Sequence, residues 1–511
     1  MTKKEFFVIF LILIISIFFR FWNIKQTPPG LYPDEAMNGN NALEANATGQ
    51  YKIYYPENNG REGFFINIQA ASIAIFNNHP WSLRIVSAFF GALTVIGIYL
   101  LTRKVFHKNT VLATASTFMI ALSFWHVNFS RIGFRAIMVP FCLVWSFYFI
   151  ISAWKEKRIW PAIMAGIFFG IGLHTYIAFR FAPFLALIPI IYYFYKNKKS
   201  GDLKKYFQIL FIWIGVAFLI ALPIGLYFLN NPGDFFGRSG QVSIFSSDSP
   251  LLDLGKSIGK TMVMFNFYGD SNWRHNYACR PELDIFTGIF FLIGIILSIK
   301  RTFQKNNPER FPYIFVLSWM AIMALPSILT KEGVPHALRA IGMIPPTFIL
   351  AGIGFEYLWK IFKEKNKKIG LILLTISGLA IIYLNVNQYL AWSQKQEVKD
   401  SFDYKYTLIA DYLNNAPQEI NKYVIANTGG TLVNGVPMPT QSIMFITDTY
   451  RTIQQQEKNI FYLLPENINQ ITSPALIIPL ENNESISQAI TKIFPQNSIS
   501  NVNDFSIFEV K

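Results

Sequence analysis

Three carboxylates have the residue types and spacing that point most directly to chemistry in this 511-residue chain. Asp34 and Glu35 lie in Pro28-Pro29-Gly30-Leu31-Tyr32-Pro33-Asp34-Glu35, and Glu62 lies in Gly60-Arg61-Glu62-Gly63-Phe64-Phe65. All three follow the first apolar segment and bracket one amphipathic stretch. Carboxylates so placed act as general bases or as electrostatic anchors for a reacting sugar. A helix is expected over residues 38–43, which puts Asp34 near a helix N-terminus, where negative charge is favoured. Taken alone, Asp34 reads as a helix cap, and Glu62 as solvated or paired with Arg61.

Cations at the ends of apolar segments form the second group. Arg131 and Arg135 occur in Ser130-Arg131-Ile132-Gly133-Phe134-Arg135, Arg180 after Tyr176-Ile177-Ala178-Phe179, and His336 and Arg339 in Pro335-His336-Ala337-Leu338-Arg339. Any one of them fits interfacial snorkelling. Five on one side of the membrane suit a phosphate, which guanidinium groups bind bidentately. Residues 269–276, Gly-Asp-Ser-Asn-Trp-Arg-His-Asn, add Asp270, Arg274, His275 and Asn276, a set able to recognise sugar hydroxyls or phosphate. One Asp and one His at this spacing are a weak metal ligand set, so no metal site is assigned and a divalent metal is not favoured.

The elements that must position these groups are apolar. Hydrophobic residues make up 52% of the chain and charged residues 15%, and mean hydropathy is +0.32, which excludes an ordinary soluble enzyme. Hydropathy predicts about eleven transmembrane helices of roughly 20 residues, near 6–22, 84–102, 110–127, 136–153, 159–177, 181–195, 206–228, 284–299, 311–329, 340–359 and 369–389. The first is read as a retained span rather than a signal peptide, with Arg20 snorkelling at its end. Gly166, Gly170 and Gly172, in a helix with no strand before it, read as close helix packing rather than a nucleotide fingerprint.

Charge sets the orientation. Residues 391–511 hold 8 Lys+Arg against 12 Asp+Glu, so the basic excess of the +15 chain lies in 1–390. There it falls in short connections, among them 103–109, 154–158, 196–205, 300–310 and 360–368, which the positive-inside rule places in the cytoplasm. This pattern is a topology signal and excludes nucleic acid as the partner. The N-terminus is then cytoplasmic, in a multi-pass plasma-membrane protein. Loops 23–83 and 229–283 and the tail are extracytoplasmic. Two cysteines, Cys142 and Cys279, make no disulfide framework.

Two domains are expected: a transmembrane domain over 1–390 and a small soluble α/β domain over 391–511. In the latter, helices are predicted at 400–414 and 484–494. Strands are predicted at 423–427, 442–447, 459–464, 475–479 and 505–510. It shows no catalytic motif and reads as a cap or docking module.

The chain resembles the dolichyl-phosphate-mannose–protein mannosyltransferase-like membrane glycosyltransferases of the C-type fold, with the aminoarabinose transferases as relatives. The stretches that carry the resemblance are FFRFWNIKQTPPGLYPDEA, GREGFF, SLRIVSAFFGALTVIGIYLLTRKVF, FSRIGFRAIMVP, HTYIAFRFAPF, FFGRSGQVSIFS, GDSNWRHN and PHALRAIGMIPP, in that order over residues 18–346. The resemblance implies an inverting transfer of a sugar from a polyprenyl-phosphate donor to a hydroxyl of a protein, lipid or glycan, with no cofactor. It maps a catalytic base onto Asp34 and a second functional carboxylate onto Glu62. Glu35 and Arg61 join the cations and the 269–276 stretch as candidate substrate-binding residues. At Glu62-Gly63-Phe64-Phe65 the chain departs from the aminoarabinose transferases, which carry Lys-Pro-Pro-Leu, so the resemblance assigns no acceptor. A lipid-linked sugar flippase would instead show midplane charges and internal repeats. A glycan polymerase or ligase would move an oligosaccharide block.

Overall fold

A computed structural model describes residues 2–305, 307, 309–502 and 504–511, with the backbone alone at 238, 239, 241 and 242. The side chains at those four positions, part of the FFGRSGQVSIFS stretch, lie outside the described residues. The chain divides into two compact units: Met1–Trp22 with Ser87–Trp392, and Asn23–Val86 with Ser393–Lys511. The boundary expected at residue 390 separates only the tail, whereas the first long loop folds as one unit with it.

The first unit is helical. Among the described residues, eight helices of the chain are long and apolar enough to cross a membrane: Pro80–Val105, Arg135–Glu156, Ile177–Ser200, Leu203–Asn230, Ile285–Phe303, Phe311–Ile328, Ile341–Lys365 and Lys367–Ser393. The other three expected spans are also helical but differ in kind. Lys3–Phe21 carries Lys3, Lys4, Glu5 and Arg20. Thr110–Leu122 and Trp160–Gly172 are 13 residues each, about 20 Å at 1.5 Å per residue, against a hydrocarbon core of about 30 Å. The helix from Thr110 breaks at Ser123, which is extended, and Asn385 Oδ1 accepts the freed Phe124 amide at 3.0 Å.

Small residues set how closely these helices pack. A Cβ on Gly294 would overlap the carbonyl of Leu350, and one on Gly354 would overlap that of Phe290, so Ile285–Phe303 and Ile344–Lys365 cross with their backbones in contact. Gly166 and Gly170 stand in the same way against Trp213 and Ala217 of the neighbouring helix, the packing role read from their spacing.

The second unit is a three-layer α/β arrangement joined to the segment 23–86. Its five strands lie in the order Ile460–Leu463, Asn421–Ile425, Ala475–Pro479, Phe505–Val510 and Ser498–Val502. The first three are parallel and the last two pair antiparallel. Alternating side chains face opposite layers. Val424, Leu476 and Ile478 pack with Ile409, Ala410 and Leu413 of helix Tyr404–Asn415, while Tyr423, Ile425 and Ile477 pack with Ile486 and Ile490 of helix Glu484–Ile493. The strand expected at 442–447 is instead a helix, Thr440–Thr447, begun by Pro439. Nearly every residue in it is buried. Phe445 packs among Leu31, Ala36, Ile66 and Leu83, and Ser442 Oγ donates to Leu31 O at 2.7 Å. This helix is why the first loop and the tail form one unit.

The segment 23–86 also differs from the expected loop. It contains helices Pro33–Thr48 and Gly63–Phe76 and a short antiparallel pairing in which Tyr54 faces Glu62 and Tyr55 faces Arg61.

Gly294→Ala should destabilise the membrane unit by about 1–3 kcal/mol or more, because the added methyl cannot be accommodated by a side-chain rotation. A lower melting temperature of the detergent-solubilised protein, alongside an unchanged Gly255→Ala control, is the expected outcome. A Cβ on Gly255 meets nothing within 4 Å.

Candidate functional site

The carboxylates occupy the second unit. Helix Pro33–Thr48 starts with Pro33 at its first position and Tyr32 as the cap, so Asp34 is the second helical residue and not a cap. Its charge faces the positive end of the helix dipole. Asp34 is half-buried, and Asn58 Nδ2 donates to its Oδ1 at 2.7 Å. Among the described residues its Oδ2 accepts no hydrogen bond. Asn58 begins an Asn58-Asn59-Gly60 turn in which all three residues have positive φ, 52°, 63° and 80°, a conformation that Asn and Gly tolerate best.

Glu35 is placed differently. It is fully buried and paired with Arg84, whose Nε lies 3.0 Å from Oε2 and whose Nη2 lies 3.2 Å from Oε1. Arg84 also donates to Pro28 O at 2.6 Å and to Gly30 O at 2.8 Å. Glu35, expected to touch substrate, therefore anchors the Pro-Pro-Gly turn that leads into the helix. Arg61 is likewise buried, donating to Asn38 Oδ1 at 2.8 Å and Asn41 Oδ1 at 2.6 Å, with Glu57 at 3.8 Å. Asn38 and Asn41 lie three residues apart on one helix face, so Arg61 clamps the Asn58–Gly60 turn to the Asp34 helix. Glu62 is 5% exposed and caps helix Gly63–Phe76 through its backbone.

The remaining candidates belong to the first unit. Asp270, His275 and His336 come together from loops 269–276 and 335–339. His275 Nδ1 is 3.0 Å and His336 Nδ1 3.9 Å from Asp270 Oδ2, and the two rings lie 4.9 Å apart. The Ala337 amide donates to the same oxygen at 2.8 Å, and the Asn272 amide donates to Oδ1 at 2.8 Å. Burial pushes the Asp270 carboxyl upward, but the His275 hydrogen bond and the histidine charges outweigh it and hold it below the usual range. Burial, then the charge of His275, pushes the His336 imidazole well below its ordinary value. Glu282, whose Oε1 accepts the Asp270 amide at 3.1 Å, is pushed well above the carboxylate range by burial and then by the charge of Asp270. Asn276 is buried and bridges Asp270 O and Arg280 O.

The arginines divide into two kinds. Arg131 is fully buried, donating to Phe19 O at 2.6 Å and lying over the Tyr389 ring. Arg135 lies over Tyr176, and Arg180 donates to Phe235 O at 2.7 Å while stacking on that ring. Arg274 follows the Asn272 turn, and Arg339 donates to Glu332 O at 2.9 Å; both are half-buried. Arg20 does not snorkel. It is fully buried, donating to Ser16 O, Ser16 Oγ and Ala121 O, with His126 Nδ1 2.7 Å away. Beside Arg131 is an apolar cavity of about 300 Å³ lined by Phe18, Trp22, Phe124, Tyr389 and Leu390. Arg84, Asn58 and Glu282 escaped sequence reasoning, and Arg20, read from sequence as a snorkel, is an internal tie. Only the Asn58-Asn59-Gly60 turn chemistry offered a signal.

Arg84→Ala should cost about 3–5 kcal/mol, because Glu35 is left buried without its counter-ion. The double variant Glu35→Leu/Arg84→Met should recover much of that loss in thermal unfolding, short of the part Arg84 contributes at Pro28 and Gly30.

Residues 64–194 match the family model of dolichyl-phosphate-mannose-protein mannosyltransferases. No curated protein matches the chain in sequence. In three dimensions it is similar to ArnT from Cupriavidus metallidurans bound to undecaprenyl phosphate, with a TM-score of 0.59 at 11% identity, covering 98% of this chain and 97% of ArnT. The apo state of the same ArnT gives a TM-score of 0.56, also at 11% identity and over 98% and 97% of the two chains. The Archaeoglobus fulgidus oligosaccharyltransferase, in complex with Zn and sulfate, matches at a TM-score of 0.51 and 16% identity, over 89% of this chain and 62% of its own. The chain therefore has the ArnT fold from end to end, and over residues 64–194 it carries the sequence pattern of the mannosyltransferase family.

Proposed function

We propose that this protein is an integral-membrane glycosyltransferase that moves a sugar from a polyprenyl-phosphate donor to a hydroxyl acceptor on the extracytoplasmic face. One observation carries the reading. Of the carboxylates at 34, 35 and 62, only Asp34 is half exposed, held by one oxygen and with the other unengaged. Its neighbours Glu35 and Arg61 are locked into the scaffold that presents it. The mannosyltransferase match and the ArnT fold support the same reaction class, and the undecaprenyl phosphate bound to that ArnT suggests the donor's lipid.

In this mechanism Asp34 accepts the proton of the acceptor hydroxyl as the oxygen attacks the anomeric carbon. A single displacement inverts the configuration there, and the polyprenyl phosphate departs with the bonding electrons. Glu62 is assigned to orient a substrate hydroxyl. Arg274 and Arg339, with Arg135 and Arg180, are assigned to the phosphate, whose charge grows in the transition state. The apolar cavity beside Arg131 suits a prenyl segment.

Asp34→Asn should lower sugar transfer by about 10²–10⁴-fold, the usual worth of a general base, with unchanged gel-filtration behaviour in detergent. Normal turnover would remove Asp34 from the reaction. Arg339→Ala should raise the KM for the lipid donor more than that for the acceptor, and an equal rise in both would assign it to the scaffold. Mass spectrometry of products from a labelled monosaccharide donor separates this reading from block transfer: a single-residue mass increment is expected.

A further inference from the structure

We infer that Asp270, His275 and His336 form a binding site for a divalent transition metal, with Zn²⁺ as the ion they suit best. The three side chains come from two separate loops, and their ligand atoms all lie within 4.8 Å of one another. Two imidazoles and one carboxylate form a borderline-soft donor set that favours zinc over magnesium or calcium, which take oxygen ligands.

The geometry is close to what an ion requires. Two ligands bonded to one zinc at about 2.0–2.1 Å stand roughly 3.3 Å apart in a tetrahedral site. His275 Nδ1 and Asp270 Oδ2 are 3.0 Å apart, so an ion can take the place of their shared proton. His336 Nδ1, 3.9 Å from the same oxygen, needs to approach by about 0.6 Å. Its backbone partner, the Arg339 amide, is a weak one at 3.4 Å. The carboxylate is oriented in advance, because the Asn272 and Ala337 amides hold its two oxygens. Such outer contacts fix a ligand before the ion arrives.

A second observation points the same way. Among the described residues Asn276 Oδ1, in the loop that carries Asp270 and His275, is buried with no hydrogen-bond partner. An orphaned acceptor in the loop that carries an Asp and a His suits a nearby cation better than a purely hydrogen-bonded cluster. An ion here would tie loop 269–276 to loop 335–339. Arg274 and Arg339, one residue from His275 and three from His336, then remain as the groups assigned to phosphate. The inference does not rest on the role of Asp34.

The test uses the full-length protein in detergent, freed of any histidine tag, stripped with EDTA and desalted. After incubation with ZnCl₂ and gel filtration, elemental analysis should find one zinc per chain. Co²⁺ should give the visible d–d absorption of a tetrahedral site with nitrogen and oxygen ligands. His336→Ala is the primary variant because His336 is the most exposed of the three ligands and makes only a weak backbone contact. It should weaken zinc binding about 100-fold or more, and His336→Cys, which keeps a ligand, should restore it. Wild-type protein that retains no zinc, or equal zinc in wild type and His336→Ala, overturns the proposal.

Discussion

The buried ion pair between Glu35 and Arg84 is the constraint on which the carboxylate unit depends. One guanidinium holds the carboxylate, Pro28 O and Gly30 O at once, so a single side chain ties the turn to the helix that follows it. The helix carrying Asp34 starts directly after that turn. A buried pair adds little net stability by itself, because both charges give up their hydration, but losing either partner is costly. Its value here is geometric: residue 34 is held in place because residue 35 cannot move. Arg61 repeats the device from the other side, clamping the Asn58 turn to the same helix.

The helical unit follows a related rule. Where water is absent, every buried polar group must find its partner inside the protein. Arg20 meets backbone carbonyls and His126, Arg131 meets Phe19 O and the Tyr389 ring, and Asn385 meets the Phe124 amide and Asp284. Each of these contacts joins segments far apart in sequence. Intramembrane charges that look like surface snorkels when read singly thus become internal ties. The Asp270 cluster differs in kind. Its carboxylate and two imidazoles converge from two separate loops, with their ligand atoms within 4.8 Å of one another.

Much of the fold was legible. Apolar runs mark the eight long helices because a bilayer imposes length and composition together. Short apolar runs bounded by polar residues mark four of the five sheet strands. Strand 498–502 escaped because its Ser-Ile-Ser-Asn-Val run is short, polar and exposed at the sheet edge. Ile443, Met444 and Phe445 resembled a strand for the opposite reason. The helix they belong to is buried on all sides, so it has no polar face to show a helical period. The helix starting at Pro33 was placed too late because its interior, Asn38-Gly39-Asn40-Asn41, is built of weak helix formers. Asn40 hydrogen-bonds Gln441, and Gly39 admits the Phe445 ring, so tertiary packing overrides the local preference.

Residue type and order by themselves determined that this is a multi-pass membrane protein and that small residues pack its helices. Those properties depend on local composition and on short spacings, which survive without a fold. Only the tertiary structure decided which neighbouring carboxylate stays half-exposed and which is locked in a buried ion pair. Asp34 and Glu35 are adjacent carboxylates of the same kind, and nothing in their order distinguishes them. Arg84, forty-nine residues beyond Glu35, neutralises one and leaves the other. The meeting of His336 with Asp270 and His275 has the same origin: two loops some sixty residues apart converge, a contact that linear spacing cannot encode.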